Sequence, residues 1–401
     1  MKAKRRSIIF EILIFLGFFD FLGRGTWILA LAALLLLLIE NKGQIIISSV
    51  GGWMLVFTLA YTFWFLGAEV FNIRGAILPI TGLLIFFAGK KCVQTQDDGV
   101  DFQRYFLIMA LGAACYGLIN MLLNILSYGW NFNDVRILKD LWSTQDTLAT
   151  GQSALFVPLI GMIYYMLVYF NKDKSKSVKW IVYLTAIVLG IIYNIMTASR
   201  YILFISILIL LLCLVIDILI RKKASVRFLV RAGVLIAVCV IAYNANLFGV
   251  KSFWENSSLL HRMNKLESLE QSGAYTSQAR TNQIADVLKN FHLYLWGGQP
   301  TGYPFIHNAW LSVLNYGGLL LFIPFTMLTV VSVAMAYKAV KKSEKSTAFL
   351  IIGAFIAIYG FFMIEPLFEG AKWLFLAFSF MLGMLDTIGQ SKTKRNLFEQ
   401  K

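Results

Sequence analysis

The sequence predicts an all-α integral membrane protein of about 12 transmembrane helices, and three observations predict it. Hydrophobic residues make up 59% of the 401 and charged residues only 14%, where a soluble domain carries roughly a quarter charged. Uninterrupted apolar runs of about 18 residues or more recur along the whole length, each long enough to cross a hydrocarbon core roughly 30 Å thick as a helix. The basic residues behind the net charge of +15 fall in the short connections between these runs. Cations in that position set orientation in a bilayer, so no nucleic-acid partner is read from the charge.

In chain order, Lys2-Ala3-Lys4-Arg5-Arg6 resembles a signal-peptide n-region. No small-x-small cleavage site follows before Asp20, so the first helix is expected to be retained. Spans are expected at 7–22, 26–40, 44–68, 75–89, 104–127, 151–170, 180–197, 201–220, 229–247, 317–338, 347–364 and 371–387. With the N-terminus inside, 25 of the 36 Lys and Arg residues fall on the inner side, and both termini come out cytoplasmic. The outer face then receives two segments of size, 128–150 and 248–306, on what is otherwise a single polytopic membrane domain over 1–401. The remaining outer turns are short, notably Thr197-Ala198-Ser199-Arg200 and Glu365-Pro366-Leu367-Phe368-Glu369. Gly51-Gly52, in the third span, is the one hint of a broken helix. Cys92, Cys115, Cys213 and Cys239 show no paired or metal-like spacing and read as small hydrophobes.

The longest polar stretch is the place to look for chemistry. Thr276-Ser277-Gln278 suits a helix start, and Ile284, Val287, Leu288 and Phe291 mark one face of the helix that follows. Arg280 then lies in the first turn, where an Arg beside a helix N-terminus concentrates positive charge for an anion. Gly297-Gly298 and Pro300 are expected to stop the helix. Arg136, Arg200 and Arg280 all open to the outer side, and a planar, permanently charged guanidinium suits bidentate contact with phosphate oxygens. The alternative for each is snorkelling to lipid headgroups. His307, just before the tenth span, carries an imidazole that can take a proton from a hydroxyl; the alternative is a structural histidine at a helix start, with Asn308 as the cap. Glu365 and Glu369 flank Pro366 in the last outer turn and read as members of a solvated turn; the alternative is that one of them supplies a carboxylate base. Trp296 and Trp310 offer faces for sugar rings, or sit at the membrane boundary as interfacial aromatics do. No nucleotide-, metal- or thiol-chemistry motif is present, so any catalysis is expected to proceed without a metal or cofactor.

These features together resemble the bacterial O-antigen polymerase and O-antigen ligase family of multispanning membrane proteins. The residues that carry the resemblance are Ser199-Arg200 in a short outer turn, Arg280 in the large loop, Trp296-Gly297-Gly298, His307-Asn308-Ala309-Trp310-Leu311, and Gly317-Gly318. The resemblance implies a GT-C-like glycosyltransferase in the bacterial cytoplasmic membrane, working on its outer face. Its donor and acceptor would be undecaprenyl-pyrophosphate-linked oligosaccharides, with membrane lipid around it and a chain-length regulator protein as a partner. It further implies that Arg200 and Arg280 grip the donor pyrophosphate and that His307 lies beside the acceptor. Arg136, Trp296, Asn308, Trp310 and Tyr316 are the substrate-binding set expected with them. Polymerisation of repeat units is the expected activity. The alternatives are ligase-type transfer of a finished polysaccharide and, from another class, a flippase for lipid-linked saccharide. Polar residues gather at one outer face here, whereas transporters usually line a midplane cavity.

Overall fold

The computed structural model describes residues 2–41, 47–67, 73–93, 98–130, 137–142, 147–169, 177–221, 226–257, 259–260, 277–303 and 305–390. The first five helices are α1 (Lys2–Phe18), α2 (Gly25–Asn41), α3 (Ser49–Gly67), α4 (Ile73–Cys92) and α5 (Asp98–Tyr128). A two-stranded antiparallel ladder follows, β1 (Ile137–Leu138) with β2 (Thr147–Leu148), pairing Ile137 with Leu148 and Leu138 with Thr147. Next come α6 (Ala149–Ala154), α7 (Val157–Gly161), α8 (Ile163–Val168), α9 (Ser177–Met196), α10 (Arg200–Arg221), α11 (Val226–Asn244) and α12 (Val250–Glu255). The chain continues with α13 (Ser277–Lys289), α14 (Ala309–Lys342), α15 (Lys345–Ile364), α16 (Leu367–Gly370) and α17 (Lys372–Gln390).

The chain is an α-helical membrane protein. Among the described residues, α3, α5, α10, α14, α15 and α17 are the 6 helices long and apolar enough to cross a membrane. Shorter apolar stretches lie in α1, α2, α9 and α11. Where a continuous span is expected at 151–170, the chain instead forms α6, α7 and α8, with Pro158 in the first turn of α7. Gly51-Gly52 does not break α3: the pair lies in its first turn, where Ser48 Oγ accepts the Gly51 N–H at 3.0 Å. The break falls in α14 instead, at Gly317 and Gly318, the latter at φ 57° and ψ −150°, a conformation open to glycine alone.

The chain divides into two compact units, each considered by itself: residues 1–113, 277–351 and 358–401 form one, and residues 114–276 and 352–357 the other. In the first unit α4 and α17 make the most extensive helix pair. In lipid there is little hydrophobic drive between helices, so close packing must come from small residues. Here a Cβ on Gly89 would strike the Phe380 carbonyl oxygen, and one on Gly383 the Phe86 carbonyl oxygen. An ion pair closes the same crossing, Lys90 Nζ to Asp386 Oδ2 at 2.7 Å. The same unit holds an aromatic core in which Phe57, Phe325, Phe362, Phe368, Phe375 and Phe378 stack edge to face or tilted.

In the second unit, buried asparagines on α5 hold the β1–β2 segment down. Asn124 accepts the Lys139 N–H at 2.9 Å and donates to the Lys139 carbonyl at 2.8 Å, while Asn120 accepts the Leu141 N–H and donates to Gln152. These polar groups look costly for a membrane helix, but each is paired, which is the condition for burying an amide.

Candidate functional site

The site assembles where α14 begins and α15 ends, around a turn made by Glu365 and Pro366. Proline cannot continue a helix, and it pushes the preceding residue into extended backbone. Glu365 accordingly sits at φ −139° and ψ 150° as the C-cap of α15, with only 5% of the residue exposed. Its two carboxylate oxygens are divided between two partners. Arg280 Nη2 donates to Oε1 at 2.8 Å, and His307 Nδ1 lies 3.1 Å from Oε2. The solvated turn expected at Glu365 is therefore corrected: it is a buried carboxylate joining a cation to an imidazole. The Pro after it was the one local signal for a fixed conformation. The side chain of Glu369 lies outside the described residues.

Arg280 reaches this carboxylate because α13 is pinned two turns further on. Val287 is fully buried with Tyr294, Ile306 and Leu314, against Leu311, Leu319 and Phe322. Arg280 stands seven residues before Val287, on the same face, in the first turn of α13 as expected. Of the rest of the expected apolar stripe, Ile284 is half-buried, while Leu288 and Phe291 are exposed. The helix also ends sooner than expected, at Lys289, and a 3-10 turn over Phe291–Tyr294 takes its place. Asp286 organises that turn: its carboxylate accepts from Asn290 Nδ2 at 2.7 Å and from the Tyr294 hydroxyl at 3.2 Å. Burial, opposed by a hydrogen bond to Thr301 and reinforced by Asp286, pushes the Tyr294 phenol above its ordinary value. Arg280 Nη1 also approaches the Ile364 carbonyl at 3.5 Å, so the guanidinium caps the negative end of α15 as well.

His307 is held from the other side. Asn308 is the N-cap of α14: its Oδ1 accepts the Leu311 N–H at 3.0 Å, and its Nδ2 donates to the Met363 carbonyl at 3.2 Å. One amide thus starts α14 and ties it to the end of α15, which places His307 beside Glu365. The cap also explains why α14 begins at Ala309 rather than at 317. A carboxylate only accepts, so in the neutral imidazole the proton belongs on Nδ1 and the lone pair on Nε2. The His307 side chain is 24% exposed, against 6% for Glu365.

Gly297-Gly298 and Gly317-Gly318 meet each other. Gly298 N–H donates to the Tyr316 carbonyl at 2.8 Å, Gln299 N–H to the Asn315 carbonyl at 2.9 Å, and Leu319 N–H to the Leu295 carbonyl at 2.9 Å. The loop therefore takes up backbone groups that the break in α14 leaves without helical partners. A Cβ on Gly297 would stand 2.5 Å from Gly318 N and closer still to the Tyr316 carbonyl oxygen. Trp296-Gly297-Gly298 and Gly317-Gly318 are one structural joint, fixing the loop to the helix that begins just after His307.

Of the other expected residues, Asn308 belongs to the site as its clamp. Trp310 is turned into the aromatic core, against Phe325, Tyr359 and Phe362, with its Nε1 donating to Thr329 Oγ1 at 3.0 Å. Tyr316 stacks on Phe65 of α3 at 6.5 Å between centroids. Trp296 is 86% exposed and presents an open indole face. Arg200 begins α10 in the other unit, exposed, after a turn in which Ala198 takes φ 54° and Ser199 N–H donates to the Asn194 carbonyl. Arg136 lies outside the described residues. Gln283, one turn along α13 from Arg280, and Asn315 are residues sequence reasoning did not single out. Each has a buried amide oxygen that accepts no hydrogen bond among the described residues. Among these residues no group of three or more His, Cys, Asp or Glu side chains could hold a metal ion. Compared with protein-family models and with curated proteins, the chain matches none.

Proposed function

We propose that this chain is a glycosyltransferase that polymerises polyprenyl-pyrophosphate-linked oligosaccharide repeat units at the outer face of a bacterial cytoplasmic membrane. The observation that carries the reading is the buried Glu365 carboxylate, with Arg280 on one oxygen and His307 on the other. A base oriented by a carboxylate, next to a cation, is what glycosyl transfer from a pyrophosphate requires. The acceptor hydroxyl attacks the anomeric carbon and its proton passes to His307 Nε2. The bond from that carbon to the pyrophosphate oxygen breaks, and the pyrophosphate leaves as an anion without needing a proton. One displacement inverts the anomeric centre. The guanidinium of Arg280 offers N–H donors beyond those used by Glu365 and Ile364, and a cation aimed at a leaving group stabilises the charge that develops there. Arg200 would supply a second cation on the donor, Arg136 a third, and the face of Trp296 a platform for a sugar ring. With the N-terminus inside and 12 spans in a GT-C-like arrangement, all of these residues belong to outer segments.

The test is a surface-polysaccharide gel from cells carrying His307→Ala, Arg280→Ala and Arg200→Ala, each checked for membrane expression beside wild type and a deletion. Polymerase activity requires that the variants accumulate a single translocated lipid-linked unit. Full-length polymer retained on its carrier would make the chain a ligase, and units held on the cytoplasmic side would make it a transporter.

A further inference from the structure

We infer that Glu365 couples the two halves of this site, competing with the pyrophosphate for Arg280 and passing its charge to His307 when the pyrophosphate wins. The inference rests on the reading under Proposed function and adds to it how the base is controlled. Three observations lead to it. The carboxylate is shared, with Oε1 on Arg280 at 2.8 Å and Oε2 on His307 at 3.1 Å. It is 6% exposed, so its charge is screened chiefly by these two partners rather than by water. Arg280, by contrast, is 37% exposed on its side chain, so an anion can reach the guanidinium from solvent while Glu365 cannot leave the turn fixed by Pro366.

The consequences follow from charge. A pyrophosphate carries more negative charge and more acceptor oxygens than one carboxylate, and bidentate recognition favours it on an Arg fork. When Arg280 turns to it, Glu365 keeps a single partner, the Nδ1–H of His307. The imidazole then faces the whole carboxylate charge at the moment the donor is in place, which stabilises the imidazolium formed as Nε2 takes the acceptor proton. The proton goes from the acceptor oxygen to Nε2 as that oxygen forms its bond to the anomeric carbon, and from Nε2 to water after the lipid pyrophosphate departs. Glu365 touches neither substrate; it is a positioning residue that makes proton abstraction depend on donor binding.

Glu365→Gln separates this role from a merely structural one. The amide keeps the shape, loses the charge that holds Arg280, and can donate to Nδ1, which moves the imidazole proton to Nε2 and blinds the base. The experiment measures farnesyl pyrophosphate binding and the rate of transfer for the purified full chain in lipid nanodiscs, for wild type, Arg280→Ala, Glu365→Gln and Glu365→Asp. The coupling predicts that Glu365→Gln binds farnesyl pyrophosphate about fivefold tighter or better, in the range of ordinary site-to-site coupling. Its kcat for transfer falls by about a hundredfold or more, the scale of a lost general base. A structural role would weaken both together. If Glu365→Gln binds as wild type does or more weakly while Arg280→Ala loses binding, the coupling is wrong and the donor site stands. If Arg280→Ala binds as well as wild type, the reading under Proposed function fails, and the coupling with it. Should Glu365→Gln not give monodisperse protein, Glu365→Asp decides, because its shorter arm cannot serve both partners. Transfer must then drop at least tenfold with binding kept or tightened, and weakened binding overturns the inference.

Discussion

A carboxylate buried to this degree needs partners on both oxygens, since an uncompensated buried charge is among the costliest things a fold can hold. Glu365 meets that need with one side chain from α13 and one from the start of α14, which is why three residues far apart in sequence share a site. Arg280 and His307 were legible because Arg and His are conspicuous in an apolar chain. Glu365 was legible only as an alternative to a solvated turn, because a sequence gives an acid beside a proline no sign of being buried. The glycines were legible as punctuation, but their meeting was not, since it is a contact between main chains 20 residues apart. That contact predicts a contrast. Gly297→Ala combines a left-handed backbone, φ 74°, with a clash against the Tyr316 carbonyl. It is expected to destabilise by about 2–4 kcal/mol. Gly298→Ala shares the backbone strain, φ 79°, but its Cβ would meet nothing within 4 Å, so about 1 kcal/mol is expected. Thermal denaturation of the two variants in detergent, followed by the loss of monodisperse protein, reads the difference; equal costs would mean the joint is looser than described.

At the scale of elements, hydropathy gave the positions of the helices and missed their continuity. A window of apolar residues cannot distinguish one span from α6, α7 and α8, because Pro158 and the turns around it are as apolar as the helices they interrupt. The α4–α17 pair was equally hidden, since Gly89, Lys90, Gly383 and Asp386 become partners only when the helices cross. Lys90 and Asp386 are 14% and 4% exposed, so the pair is held largely out of water. Removing one member of such a pair costs on the order of 3–5 kcal/mol, whereas replacing both by apolar residues is close to neutral. Lys90→Met is expected to lower the thermal midpoint sharply by stranding Asp386, and Lys90→Met with Asp386→Leu to recover most of the loss. A double variant no better than the single would show that the pair contributes more than mutual neutralisation.

For the molecule as a whole, what the sequence made plain was an α-helical membrane protein, because that property is carried by composition and apolar run length rather than by tertiary contact. The account built on it is that the Arg280, Glu365 and His307 constellation transfers saccharide from a lipid pyrophosphate. The most direct test is to supply the purified chain, in nanodiscs and with a chelator present, with a lipid-pyrophosphate-linked repeat unit and to follow the products by size. The account predicts a ladder of polymer for the wild type, unaffected by the chelator, and loss of that ladder by at least a hundredfold for His307→Ala. No transfer by the wild type, or a ladder from His307→Ala as long and as fast as from the wild type, would contradict it.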